Sequence, residues 1–209
     1  MKVNVMTSLL LVATFQIMAQ YDPSALKILD AMSAKYKAIP AFTATFSQKL
    51  TNETAGIDEN ISGKIAVKEG KYRLEIAGQI IFNDGQDVWS YNKEAKEVTV
   101  STFDPSEQEI SLSNIWDLYK DGYKYILLAE NDNGNNVVDL DPIDRTKSYF
   151  KIRMFISQNN ELKSFSVFES NGNRFVYNMD TFKNDPTIKD TAFTFNSVNY
   201  PGVEIIDFR

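Results

Sequence analysis

Hydrophobic positions along the chain change period at residue 41. Before it, Leu26, Leu29, Met32 and Tyr36, flanked by Ile28 and Ile39, recur three and four apart, the spacing of one helix face. Asp22 stands where an N-cap belongs and Pro23 at the first helical position, so the pattern predicts a helix over 23–39. From Ala41 the period falls to two. Phe42, Ala44 and Phe46 alternate with Thr43, Thr45 and Ser47, a strand with one greasy and one hydroxyl face. The same alternation predicts strands near 61–69, 71–77, 79–83, 86–92 and 96–102, linked by turns short enough for antiparallel neighbours. The interval 104–121 departs from it, because Ile110, Ile115, Leu118 and Tyr119 suit short helices. Strands are predicted again at 123–130, 135–142, 149–158, 161–170, 173–183, 191–196 and 202–208, with turns in "ENDNGNN" and "SNGN".

These elements describe a mainly β chain with a few helices. Ten or more antiparallel strands form a large curved sheet that must close, sandwich or be covered on one face. The two helical stretches are too small to fill a wide concave side, which leaves room for a cavity. No repeat or linker divides the chain, so one domain is expected over 21–209. The first twenty residues carry Lys2, an apolar run from Ser8 to Met18 and a small-residue exit at Ala19 and Gln20, the pattern of a secretory signal peptide. The run is short for a bilayer span and no Cys follows it, so the mature chain is expected to be exported and soluble, without a lipid anchor.

Composition narrows the chemistry. The net charge is -6 and Lys and Arg are scattered singly, so no nucleic-acid footprint is present. Among 209 residues there is neither Cys nor His, which excludes Ser/His/Asp and Cys/His catalysis, disulfides and ordinary zinc sites. No cofactor is implied. Asp139, Asp141 and Asp144 in "DLDPIDR" offer carboxylates for hydrolysis of an envelope glycan or lipid, but their place at a strand end favours solvated turn residues. "ENDNGNN" lacks the closing bidentate Glu of a calcium loop and reads as a hairpin turn, so no metal is expected.

Four segments, in order, resemble the periplasmic outer-membrane lipoprotein carrier family, the LolA family: "FTATFSQKL", "SGKIAVKEGKYRLEI", "IFNDGQDVWSYNKEAKEVTV" and "AFTFNSVNYPGVEIIDF". The resemblance implies an open half-barrel of antiparallel strands, lidded by helices over a hydrophobic cavity that sequesters lipoprotein acyl chains. It implies a monomeric, non-enzymatic periplasmic carrier, with an inner-membrane release complex and an outer-membrane receptor as transient partners. A related half-barrel that holds another lipid or glycolipid, or senses mislocalised lipoproteins, is the alternative. The family often has a basic latch residue where this chain has Glu69, which leaves Arg73 on the neighbouring strand as the remaining latch candidate.

Alternation nominates the lining within that frame. Ile65 and Val67 share a face, as do Tyr72, Leu74 and Ile76, then Trp89 and Tyr91, then Val98 and Val100. Ile115, Leu118 and Tyr119 would supply the lid's inner surface. Ordinary core is the competing reading for all of them.

Overall fold

The computed structural model describes residues 21–105, 110, 112–128 and 133–209. The expected signal peptide lies outside the described residues, as do parts of the 104–121 interval and of the Asn-rich turn before residue 133.

The helix α1 spans Pro23–Lys37, begun by the Asp22 side chain, which accepts a hydrogen bond from the Ser24 N–H at 2.8 Å. The other Asp22 oxygen accepts from the Leu127 N–H at 2.9 Å, so the same carboxylate ties the helix start to the sheet. Lys35 and Lys37 occupy the last turn, where the helix dipole favours cations. Its buried face is Ala25, Leu29, Met32, Ser33 and Tyr36.

Twelve strands follow: β1 Ala41–Asn52, β2 Ile57–Lys68, β3 Lys71–Ile76, β4 Gln79–Asn83, β5 Asp87–Asn92, β6 Glu97–Thr102, β7 Tyr123–Leu127, β8 Asn136–Pro142, β9 Tyr149–Ile156, β10 Leu162–Glu169, β11 Arg174–Asn184 and β12 Glu204–Asp207. They form one open sheet in the order β12-β6-β5-β4-β3-β2-β1-β11-β10-β9-β8-β7. Two meanders, β1 to β6 and β7 to β11, meet along an antiparallel seam between β1 and β11, with an irregularity between Thr45 and Phe46. The half-barrel does not close, and β7 and β12 are its end strands.

Each face of the sheet is covered differently. On the inner face, α1 and residues 112–119 pack with Phe42, Ala44, Ile65, Leu140, Ile152, Met154 and Phe165 in the main core. On the outer face of β4, β5 and β6, the C-terminal segment lays Phe195 and Tyr200 over Phe82 and Tyr91, with ring centroids 4.6–6.3 Å apart. Phe193 is fully buried.

Two expectations need correction here. Residues 191–196 are not a strand: Asp190–Phe193 is a 3-10 turn, and the segment crosses the outer face with no strand edge to pair with. β12 pairs parallel to β6, not antiparallel, because that crossover returns the chain in the direction of β6. Among the described residues of 104–121, the regular helix is the short 3-10 turn Leu118–Lys120.

Candidate functional site

Pairing register decides which side chains meet. Ile65, Leu74, Ile81 and Ser90 stand in one row across β2 to β5, and Tyr72, Asn83, Val88 and Ser101 in the next across β3 to β6. Phe46, Gly63 and Ile76 form a third. A Cβ on Gly63 would run into the Phe46 ring, so the missing side chain is what lets that ring lie across β2. From the other meander come Val167, paired with Phe175, and Tyr177, which stacks on Phe165 at 4.5 Å.

Between these walls lies a cavity of about 660 Å³. Phe46, Ile65, Tyr72, Leu74, Ile76 and Ile81 line one side, Val167, Phe175 and Tyr177 the other, with Ile110 and Leu112 over them. Polar groups gather elsewhere on its lining: Ser101, Thr102, Asp104, Ser148 and Glu169. The Glu169 carboxylate accepts hydrogen bonds from the Asn171 and Asn173 side-chain amides at 3.1 and 3.0 Å.

Of the residues nominated from sequence, Ile65, Tyr72, Leu74 and Ile76 line this cavity. Val67 shares their face but is closed into the main core. Trp89, Tyr91, Val98 and Val100 need correction, since they point to the outer face. Trp89 pairs with Phe82 and Val100, and Tyr91 with Ile80 and Val98, on the side covered by Phe195 and Tyr200. Lining residues that the sequence reading did not nominate include Ile81, Val88, Phe103, Phe175 and Tyr177. The first two are apolar neighbours of the nominated positions on the alternate phase, and the last two lie more than a hundred residues away in sequence from β2.

The strap over residues 112–120 is held mainly by α1. Ile115 and Tyr119 are buried and Leu118 half-buried against the core, while Leu112, and Ile110 ahead of the strap, face the cavity. Trp116 stacks on Tyr36 with centroids 3.7 Å apart. Asp117 accepts from the Ser33 hydroxyl at 2.5 Å and from Lys120 Nζ at 2.5 Å, and pairs with Lys37 at 3.2 Å. Burial alone would raise the Asp117 carboxyl, but hydrogen bonds from Lys120, Ser33 and Lys37 outweigh it and leave it below its ordinary value. Tyr119 donates to Asp30 at 2.5 Å, and burial followed by that bond pushes its hydroxyl up to about 12. Arg73, the expected latch, lies on the outer face instead. It pairs with Glu75 at 2.7 Å and sits 5.4 Å from the Phe82 ring centroid.

The carboxylates considered for hydrolysis do not face the cavity. Asp139 is buried on β8, gripped by Arg153 Nε and Nη2 at 2.7 and 2.9 Å and by Lys151 at 3.1 Å. Burial works against the charge, and these cations more than offset it, keeping the carboxyl below its usual value. Asp144 bonds Thr146 within an exposed turn.

The sequence matches the family described as outer membrane lipoprotein carrier protein LolA over residues 37–196. It is 24% identical over 186 residues to an outer-membrane lipoprotein carrier protein of Legionella pneumophila (strain Lens), covering 85% of this chain and 88% of that one. A protein of the same description from Xanthomonas campestris pv. campestris is 24% identical over 176 residues, covering 81% and 83%. Among solved structures, an uncharacterized conserved protein from Thermus thermophilus superposes with a TM-score of 0.57 at 11% identity, over 88% of this chain and 99% of that one, a likeness of fold. With the family match running from the end of α1 through the first turn of the C-terminal crossover, the chain belongs to the outer membrane lipoprotein carrier protein (LolA) family.

Proposed function

We propose that the protein is a periplasmic carrier that shields lipoprotein acyl chains in its cavity and moves lipoproteins from the inner to the outer membrane. The observation that carries this reading is the apolar cavity of about 660 Å³, within the ~300–1,000 Å³ of ligand pockets, in a chain of this family. Membership favours a binding protein over an enzyme, and an inner-membrane release complex and an outer-membrane receptor belong to the proposal as its partners. Residues 1–20 would be the signal peptide that delivers residues 21–209 to the periplasm.

Energetics favour a carrier with a movable cover. At ~0.8 kcal/mol per buried CH₂, an anchor of two or three acyl chains costs on the order of tens of kcal/mol to expose to water. Taking about 30 Å³ for a water-sized group, the cavity holds on the order of twenty methylenes. In this proposal an anchor with more chain than that is admitted as the strap swings away from the sheet. That makes the groups between the strap and α1 the counterpart of a latch in this chain.

Three measurements test the proposal. Depletion in the native host should leave acylated proteins in the inner membrane, and normal sorting would overturn the transport role. Leu74→Asp, a charge inside the cavity, should abolish capture of a synthetic lipopeptide while circular dichroism stays native; undiminished capture would remove the cavity as the site. Native mass spectrometry of the protein from its own periplasm separates an acylated polypeptide from a free lipid or glycolipid as cargo.

A further inference from the structure

The sheet ends in two edges, which differ in how they are covered. At β7 the segment leading into α1 lies against the strand. Tyr21 bridges Tyr125, the Asp22 N–H donates to the Tyr125 carbonyl at 3.3 Å, and the Asp22 carboxylate accepts the Leu127 N–H at 2.9 Å. At β12, the last strand at the other end, no such segment stands among the described residues. Its Glu204 and Phe208 N–H groups donate to the Lys96 and Val100 carbonyls at 2.9 and 2.8 Å. Alternation along a strand therefore turns the N–H and C=O groups of Ile205 and Asp207 away from β6, to the free edge. The large side chains here are apolar and exposed, Ile205 by 53% and Phe208 by 70%. Arg209 fixes the end of the strand, its guanidinium held by Asp207 and by Asp87 of β5, each at 2.6 Å.

Position narrows what this edge can meet. Ile206 continues the row of Ile65, Leu74, Ile81 and Ser90 through Thr99, so β12 extends the wall that lines the cavity. It runs parallel to β6, toward Ser101 and Thr102, where the lining turns polar. A ligand with its acyl chains among the apolar residues places its polar end there. A peptide acylated at its N-terminal residue that leaves this end along β12 runs antiparallel to it, the more stable of the two pairings. An added strand lies two strand spacings from β6, ~10 Å, which about three extended residues span. A second copy of the chain fits less well, because full antiparallel self-pairing sets Glu204 against Asp207.

We infer that β12 is a docking strand for the polypeptide of the cargo. The extended segment that follows the acylated residue adds to the free edge, held by main-chain hydrogen bonds to Ile205 and Asp207. The inference rests on the carrier reading, because it places the peptide of the ligand whose chains that reading puts in the cavity. Main-chain pairing reads no side chains, so one edge serves many cargo sequences, provided the paired residues are not prolines.

Two synthetic peptides test this, with the same diacylglyceryl-cysteine and the same tether of about ten residues. One has a natural backbone, and the other is N-methylated at every amide from about the fourth residue on. Affinities would be read by displacement of a fluorescent lipopeptide from the intact protein, and hydrogen exchange would follow the Ile205 and Asp207 amides. The natural peptide should bind about tenfold more tightly and slow the exchange of both amides, which the methylated one leaves unchanged. In Ile205→Pro, which removes an outward donor without touching the bonds to β6, the two affinities should come within about twofold. Equal affinities for the wild type, unprotected amides, or a difference that survives in a folded Ile205→Pro overturns edge docking and leaves the carrier reading standing. Exchange in the wild type decides the matter even where the proline variant does not fold. A wild type that sediments as a dimer, with Ile205→Pro a monomer, assigns the edge to a second copy and overturns the inference as well. Failure of both peptides to bind overturns the carrier reading itself.

Discussion

Gly63 shows how much one missing atom can do. Its Cβ would collide with the Phe46 ring on β1 and meet the Glu75 carbonyl oxygen at 3.0 Å, so the close approach of three strands depends on glycine. Gly63→Ala is expected to cost about 1–3 kcal/mol in urea unfolding through overpacking. Most of that loss should return in Gly63→Ala/Phe46→Leu, where the colliding ring is gone. Side-chain placement was legible where one face of a strand is clearly polar: Arg73 and Glu75 opposite Tyr72, Leu74 and Ile76 leave no choice of phase. It was not legible on β4 to β6. There Ile80 and Ile81, or Val88 and Trp89, are apolar on both phases, and alternation cannot say which points inward. The deciding residues, Phe195 and Tyr200, lie a hundred positions downstream.

At the level of elements, α1 and the strands of both meanders followed from periodicity because each is long and regular. The strap did not, because its order comes from tertiary contacts and not from a repeating local pattern. Its attachment is electrostatic as well as apolar, with Asp117 fastening it to Ser33 and Lys37 of α1 and to its own Lys120. Asp117→Ala should speed amide hydrogen exchange through residues 112–120 and quicken both loading and release of a lipopeptide, with the exchange of β8 to β10 unaltered. The sign of the pH effect follows from the depressed carboxyl. The attachment is complete above the ordinary unfolded value of about 3.9 and is lost as pH falls through the lower folded value. Exchange at neutral and mildly acid pH should therefore be alike, with the strap loosening only in strong acid. Asp190 follows the same direction. Hydrogen bonds from Lys68 and Lys71 bring its carboxyl down to about 2, so the contact between the β2–β3 turn and the C-terminal crossover also resists mild acid.

Across the whole molecule, one sheet serves two separate apolar assemblies, and their roles can be pulled apart. Phe193 belongs to the outer one, fully buried and not part of the cavity lining. Phe193→Ala should lower stability by about 3–5 kcal/mol without changing lipopeptide affinity at temperatures where the protein stays folded. A matching loss of affinity would mean that the outer assembly sets the shape of the cavity wall. The large curved sheet with one face to be covered followed from strand count and the shortage of helix, whereas its open half-barrel form came from the resemblance to the family. The parallel return of β12 did not, because pairing direction depends on where a crossover emerges and not on the pattern of the strand.

The seam between β1 and β11 also bears on how the chain reaches this state. Phe42 pairs with Asn184 and Thr51 with Arg174, so partners in the middle of the sheet are separated by more than a hundred residues. Contacts that distant are slow to form, because the loop between them must close before the pairing rewards it. During synthesis the β11 edge of β1 waits for nearly the whole chain, while β1 to β6 can assemble as a local meander. A chain built this way stays incompletely folded until residue 184 has emerged. Refolding followed by probes of the β1–β11 seam should accordingly lag behind probes on the β3–β4 hairpin.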